Sequence, residues 1–328
     1  MKPVADLSAR PDARTWKIEA DGVLDSRLLP AVSFDEQWDA IVVDPALKAE
    51  LLSQGILNFT LRRNVDRSRV PLHGIILLVG PPGTGKTSLA RGLASRIASS
   101  VEGLGAFRYI EVEPHGLASS ALGRSQKAVT ELFTQTIAEH ASQPLIVLLD
   151  EVETLAADRS KLSLDANPVD VHRATDAVLA QLDNLASNCP NLLVLATSNF
   201  PEAIDSALVS RADLVRTVGL PTTEARRMII VSTLDALAEV YEPIRALTAH
   251  RDLETLVQQT EGFDGRQVRK VVVVACAQHP DVALNPEKLA MADLLASVSA
   301  AKAEQQLRME WWRRNVLARH RPDQVPHQ

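Results

Sequence analysis

Short apolar runs alternate with stretches of helical spacing through the middle of the chain. The runs are IILLV (Ile75–Val79), FRYIEV (Phe107–Val112), LIVLL (Leu145–Leu149), LLVLAT (Leu192–Thr197) and LVRTVGL (Leu214–Leu220). Between them, Thr87–Ser100, Ser125–His140 and Val171–Ala186 repeat apolar residues every three or four positions, as helices do. Strands that are apolar throughout belong in a parallel sheet covered on both faces. The pattern therefore predicts an α/β domain over 41–220, with a parallel five-stranded sheet and flanking helices. It includes a helix over Pro45–Arg62, and RRNVDRSRVP reads as a loop. Beyond Pro221 the strands stop, and 221–318 reads as a helical domain, followed by a disordered tail over 319–328. Residues 1–40 are poorly patterned, though Phe34 and Trp38 are expected to pack onto the body.

Composition narrows the class. With 328 residues, 46% hydrophobic and 23% charged, the chain can bury a large and a smaller core. A formal charge of −6 argues against nucleic acid as a partner, because neutralising phosphates needs a basic surface. Cys189 and Cys276 stand alone, with no CxxC and no HExxH, so neither a zinc site nor a disulfide framework is expected. No apolar run approaches the ~20 residues of a membrane span, and the first residues lack a signal core, which predicts a cytoplasmic protein.

The chemistry is concentrated at strand ends. Gly80-Pro81-Pro82-Gly83-Thr84-Gly85-Lys86-Thr87, with Ser88 next, matches GxxxxGK[ST], follows an apolar strand and opens a helix. Gly83 and Gly85 let the backbone turn its N–H groups towards phosphates, and the helix N-terminus adds positive potential. Lys86 is expected to bridge the β- and γ-phosphates of ATP, and the Thr87 hydroxyl to ligate Mg²⁺. The bare pattern arises by chance in roughly one per cent of chains of this length, and its strand–loop–helix context lowers that further. Leu145–Leu149 runs into Asp150-Glu151. Two carboxylates at the end of an apolar strand are costly unless used. Asp150 suits a Mg²⁺ shell, and Glu151 suits a general base for the attacking water. Asn199 follows the strand Leu192–Thr197, where an amide could hold that water or simply make a turn.

Together these strand ends resemble the AAA+ superfamily over about residues 45–280, and the wording is closer to the pachytene checkpoint / thyroid-receptor-interactor family, which remodels HORMA-domain proteins. The carrying segments are GPPGTGKTSLARGLA (Gly80–Ala94), LLDEVETLAADR (Leu148–Arg159), DAVLAQLDNL (Asp176–Leu185), LATSNFPEAIDSALVSRADL (Leu195–Leu214) and GFDGRQVRK (Gly262–Lys270). The resemblance implies that Asn199 is a γ-phosphate sensor and that Arg211 is an arginine finger acting on a neighbouring subunit, with Arg216 the second choice. It implies that Arg266 is a second sensor from a helical lid, where Asp264 is placed to cap the helix. It implies that Asn58 and Phe59 line the adenine pocket, and that a homohexameric ring threads its substrate past a pore loop within 119–124. In this chain that loop offers Ala121, Leu122 and Gly123, with no aromatic residue. The few residues ahead of the body resemble the compact bacterial members, which keep a HORMA-like protein and a cyclic-oligonucleotide synthase of antiphage (CBASS-type) defence switched off. The expected function is therefore ATP-driven disassembly of a HORMA-protein complex. The alternatives are a nucleic-acid-associated loader, a general AAA-type unfoldase and a regulatory module that binds ATP without turnover. Trp311 and Trp312 are expected to pack within the chain or between subunits.

Overall fold

The computed structural model describes residues 16–66, 69–113, 124–155 and 168–315. The chain divides into two compact units, Met1–Gly219 and Leu220–Gln328.

The first unit is built on one sheet of six strands: β1 (Val23–Leu29), β2 (Ile75–Val79), β3 (Phe107–Val112), β4 (Leu145–Leu149), β5 (Leu192–Ser198) and β6 (Leu214–Thr217). Their spatial order is β1-β3-β4-β5-β2-β6. The five strands from β2 to β6 are mutually parallel, as the apolar runs predict. All residues of β2, β4 and β5 are buried, because each strand face meets helices. Ile75, Leu77 and Val79 face one core with Val147, Leu149, Val194 and Ala196. Ile76 and Leu78 face the other with Ile146, Leu148, Leu193 and Leu195.

The N-terminal segment departs from expectation. Residues 23–29 form β1, which adds antiparallel to β3 with Leu29 opposite Phe107. Its sequence, VLDSRLL, hides this because only Ser26 and Leu29 are buried; it is a sheet edge held chiefly by ladder hydrogen bonds. Helix α1 (Val32–Ala40) follows and buries Phe34 and Trp38. A Cβ at Gly92 would lie 2.6 Å from the Trp38 Cβ, so glycine there lets α1 reach helix α3 (Lys86–Ser100). Helix α2 (Pro45–Leu61) opens on the Asp44 cap and a proline. Helix α4 (Arg124–Glu131) widens into a π-helical stretch, Leu132–Ile137, and α5 (Pro168–Asn188) precedes β5. A short α6 (Ser206–Val209) leads to β6.

Under β1 lies a buried ionic network. Glu111 is 2% exposed. It accepts from Arg91 Nε and Nη2 at 3.0 and 2.6 Å and from the Tyr109 hydroxyl at 2.8 Å. The carboxylate raises the Arg91 guanidinium pKa, while burial raises that of Tyr109. Removing one partner of a buried pair strands the other charge. Arg91→Ala is therefore expected to cost about 3 kcal/mol of stability. A thermal melt checks it, and an unchanged midpoint would assign the pair no net role.

The second unit holds α7 (Thr223–Ala238), α8 (Leu253–Gln259), α9 (Gly265–Ala275), α10 (Pro280–Leu284) and α11 (Met291–Asn315). Ile230, Leu234, Val257, Val268, Val272, Leu294 and Val298 form its core. Asp264 caps α9 through a reciprocal capping box with Gln267. Trp311, on the last turns of α11, is 62% exposed and so does not pack within the chain, which leaves packing between subunits. Cys189 and Cys276 are free thiols. Among the described residues no helix is long and apolar enough to cross a membrane.

Candidate active site

Strands β4, β5 and β2 are neighbours, so their carboxyl ends bring three sequence-distant segments to one edge of the sheet. The loop after β2 turns on glycines: Gly80, Gly83 and Gly85 have φ of 148°, 81° and 91°. A Cβ on Gly80 would lie 2.2 Å from the Val218 carbonyl oxygen. Side chains are therefore excluded by space as well as by backbone conformation. The loop ends at the N-terminus of α3, where Lys86 is the first helical residue.

Lys86 is buried, and its Nζ donates to the carbonyls of Gly80 and Pro81 and to Asn199 Oδ1, each at 2.8 Å. Burial lowers its pKa, and the carboxylates of Glu153, Asp150 and Glu151 oppose that shift. The other end of the Asn199 amide donates from Nδ2 to Glu151 Oε1 at 2.9 Å. One asparagine thus joins the phosphate-loop lysine to the strand-end glutamate. Glu151 has φ 53°, the single described non-glycine residue in the left-handed region. Such a conformation costs of order 1–3 kcal/mol and persists only where surroundings fix it. Here the Glu151 amide donates to Thr197 Oγ1 at 3.2 Å.

Thr87 Oγ1 donates to Asp150 Oδ1 at 2.8 Å, and Thr197 Oγ1 donates to the same oxygen. A hydroxyl and a carboxylate in contact at the start of α3 form an all-oxygen donor set of the kind that suits a hard divalent cation such as Mg²⁺.

The expected finger, Arg211, sits just after α6, and its guanidinium is held within the chain. Nε and Nη2 form a bidentate pair with Asp183 of α5 at 2.9 and 2.7 Å, and Nη1 donates to Ala207 O at 2.8 Å. Asp183 raises the Arg211 pKa. Arg216, the second choice, is paired with Glu50. Asp213, in the same SRAD segment, is a structural clamp: it accepts from the backbone N–H groups of His73, Gly74 and Ile75 at 2.9, 2.6 and 3.1 Å. Arg266 is an exposed residue in the first turn of α9, within the helical unit. Ala121, Leu122 and Gly123 lie outside the described residues.

Asn58 and Phe59, expected at the adenine pocket, lie away from the phosphate loop. Asn58 Nδ2 donates to Leu192 O at 3.1 Å, at the amino end of β5, and Oδ1 accepts from Arg62 at 3.2 Å. Phe59 is fully buried edge-to-face against Phe107. Both belong to the end of the sheet opposite the phosphate loop. The side chain that does lie against the loop is Ile41, whose Cδ1 would be 2.5 Å from a Cβ on Gly85. The signal for it was the apolar triplet Ile41-Val42-Val43 between two helices. Glu153, for which the sequence suggests no role, also reaches the site. Its Oε1 accepts from the Asn199 backbone amide at 3.1 Å.

Residues 76–220 match the family described as ATPase family associated with various cellular activities (AAA). CD-NTase-associated protein 6 of Pseudomonas aeruginosa is 55% identical over 282 residues, 86% of this chain and 92% of that protein. The Pachytene checkpoint protein 2 homolog of Danio rerio is 34% identical over 273 residues, 76% of this chain. The match spans 64% of that longer protein. Among solved structures, that of the E. coli MS115-1 HORMA:CdnC:Trip13 complex has a chain covering 87% of this one and 97% of its own length with a TM-score of 0.69; at 19% identity this is a likeness of fold. The chain belongs to the AAA ATPase family, a family of ATP hydrolases, in the branch that holds CD-NTase-associated protein 6 and the pachytene checkpoint protein 2 homologues.

Proposed function

We propose that this chain is the subunit of a homohexameric ATP-driven ring that takes apart a HORMA-protein complex by threading an N-terminal segment through its pore, and so restrains an antiphage signalling system. The observation that carries the hydrolytic part is the bridge Lys86–Asn199–Glu151, with hydrogen bonds of 2.8 and 2.9 Å. In this reading the loop amides and Lys86 hold the triphosphate, and Ile41 packs against the adenine side of the loop. Thr87 and Asp150 hold Mg²⁺, which supplies positive charge against the phosphates. The carboxylate of Glu151 accepts the proton of the attacking water, and Asn199 fixes that carboxylate while sensing the γ-phosphate through Lys86. Arg211 supplies its guanidinium to the neighbouring subunit's ATP, and Arg266 serves as the second nucleotide sensor.

The HORMA reading draws on kinship. The 55% identity is to a protein named for its association with a CD-NTase, and the pachytene checkpoint relatives share most of the chain. The similar E. coli fold was solved in a HORMA:CdnC:Trip13 complex. Substrate enters the pore past Ala121, Leu122 and Gly123, where Leu122 supplies an aliphatic grip smaller than an aromatic one.

The test is capture by a variant that binds ATP without turning it over. Immobilised Glu151→Gln protein with ATP is expected to retain a purified HORMA-like protein as a hexamer-sized particle, and to release it when ADP replaces ATP. Retention that ignores the nucleotide, or a particle of another size, would remove the remodelling-ring reading.

A further inference from the structure

The strand that carries Asn199 ends one residue before it. Ser198 is the last residue of β5, and its carbonyl accepts from Gly80 N at 3.2 Å. The next amide, that of Asn199, lies beyond the ladder and has no strand partner. It donates instead to Glu153 Oε1 at 3.1 Å. The amide after it, Phe200 N, is taken by the Ser198 hydroxyl at 3.1 Å. Glu153 can reach Asn199 because Glu151 adopts a left-handed turn and starts a short 3₁₀ helix, Val152–Thr154, that folds back beside the end of β5. The second carboxylate oxygen, Oε2, is buried and has no hydrogen-bond partner among the described residues. A buried carboxylate is costly to keep unless its charge or its acceptor is used.

We infer that Glu153 is a positioning residue for hydrolysis: it pins the backbone of Asn199, so that the asparagine amide holds Glu151 and Lys86 in one fixed relation. This rests on the reading of Asn199 as the sensor. The acceptor, rather than the charge, is the working part. Asn199 has two side-chain contacts, on Lys86 and Glu151, and a free backbone at its strand end could meet them in several geometries. Anchoring its amide leaves one.

The chemistry of the side chain supplies a clean test. Glu153→Gln keeps an oxygen for the Asn199 amide and removes the charge, exchanging the buried Oε2 for an NH₂. Glu153→Ala removes the acceptor as well. Steady-state ATPase kinetics of the full chain are compared for wild type, both variants, Asn199→Ala and the double variant Glu153→Ala/Asn199→Ala. Glu153→Ala is expected to lower kcat roughly tenfold to a hundredfold, the range for a hydrogen bond to a charged group, with KM for ATP within about threefold. Glu153→Gln is expected to stay within about threefold of wild type in both parameters. The double variant should be no slower than Asn199→Ala alone, because Glu153 acts through that residue. Equal impairment of Glu153→Gln and Glu153→Ala would overturn the anchor in favour of charge. A double variant slower by the product of the single losses, or Glu153→Ala at wild-type kcat, would also overturn it. If Asn199→Ala itself turns over normally, the sensor reading falls and takes the proposal with it, whereas loss in Asn199→Ala beside a normal Glu153→Ala overturns only the anchor. Thermal melts accompany each variant. If Glu153→Ala does not fold, Glu153→Asp, which withdraws the carboxylate by one methylene, replaces it with the same expectations.

Discussion

Glu151→Gln is expected to bind ATP as wild type does and to hydrolyse it ~10²–10⁴-fold more slowly, the range for loss of a positioned general base. Glutamine has the shape of glutamate, and its oxygen can still accept from Asn199 Nδ2, the 2.9 Å contact that orients the native carboxylate. The glycine loop, Lys86 and the Thr87–Asp150 contact at 2.8 Å are left as they were, so the phosphate-binding groups keep their geometry. What disappears is the capacity to take a proton from water. The loss should therefore appear in kcat, with the dissociation constant of a fluorescent ATP analogue within about threefold of wild type. Single-turnover kinetics give the first quantity and fluorescence titration the second. Wild-type turnover would remove Glu151 from the role of base. A large loss of nucleotide affinity would mean that its carboxylate is needed to hold the site together.

Much of this site is legible in the sequence because its parts are local. The phosphate loop is one contiguous segment between a strand and a helix, and Asp150-Glu151 closes an apolar run. Each announces its chemistry within a few residues. Contacts between distant segments are harder to read. Asn58 and Phe59 come shortly before β2, but position along the chain does not say which end of the sheet a helix reaches. Their side chains meet Leu192 and Phe107 at the strands' amino ends. The residue against the loop, Ile41, lies further back in the chain, and its apolar neighbours are the one hint. β1 escaped for a different reason. An edge strand with one partner needs little burial, so VLDSRLL carries neither a continuous apolar run nor a clean alternation. Carboxylates show the same limit. Asp183, Asp213 and Glu153 stand in segments that identify the family, yet nothing in those words says that one clamps Arg211, one gathers the amides at the start of β2 and one meets Asn199.

The Arg211–Asp183 pair bears on the second large effect. Arg211→Ala is expected to lower kcat about 10³-fold or more, the range for an arginine finger, while each subunit still binds ATP. A guanidinium carries five N–H donors, and Asp183 and Ala207 engage three of them in this chain, so donors remain for a phosphate on a neighbour. The bidentate grip also fixes the plane of the group, which lowers the entropy lost when it meets a transferring phosphoryl. Action in trans makes a prediction that a merely structural arginine does not share. If Arg211 acts in trans, Lys86→Ala subunits have a disabled pocket and an intact finger, and Arg211→Ala subunits have the reverse. Co-assembled one to one in a head-to-tail ring, about a quarter of interfaces pair an intact pocket with an intact finger. Turnover of the mixture should then rise well above that of either variant alone, towards a quarter of the wild-type rate. An ATPase assay on subunits mixed before assembly reads this directly. A mixture that is only the average of its two inactive parents would place the function of Arg211 inside its own subunit, with Asp183 as its permanent partner.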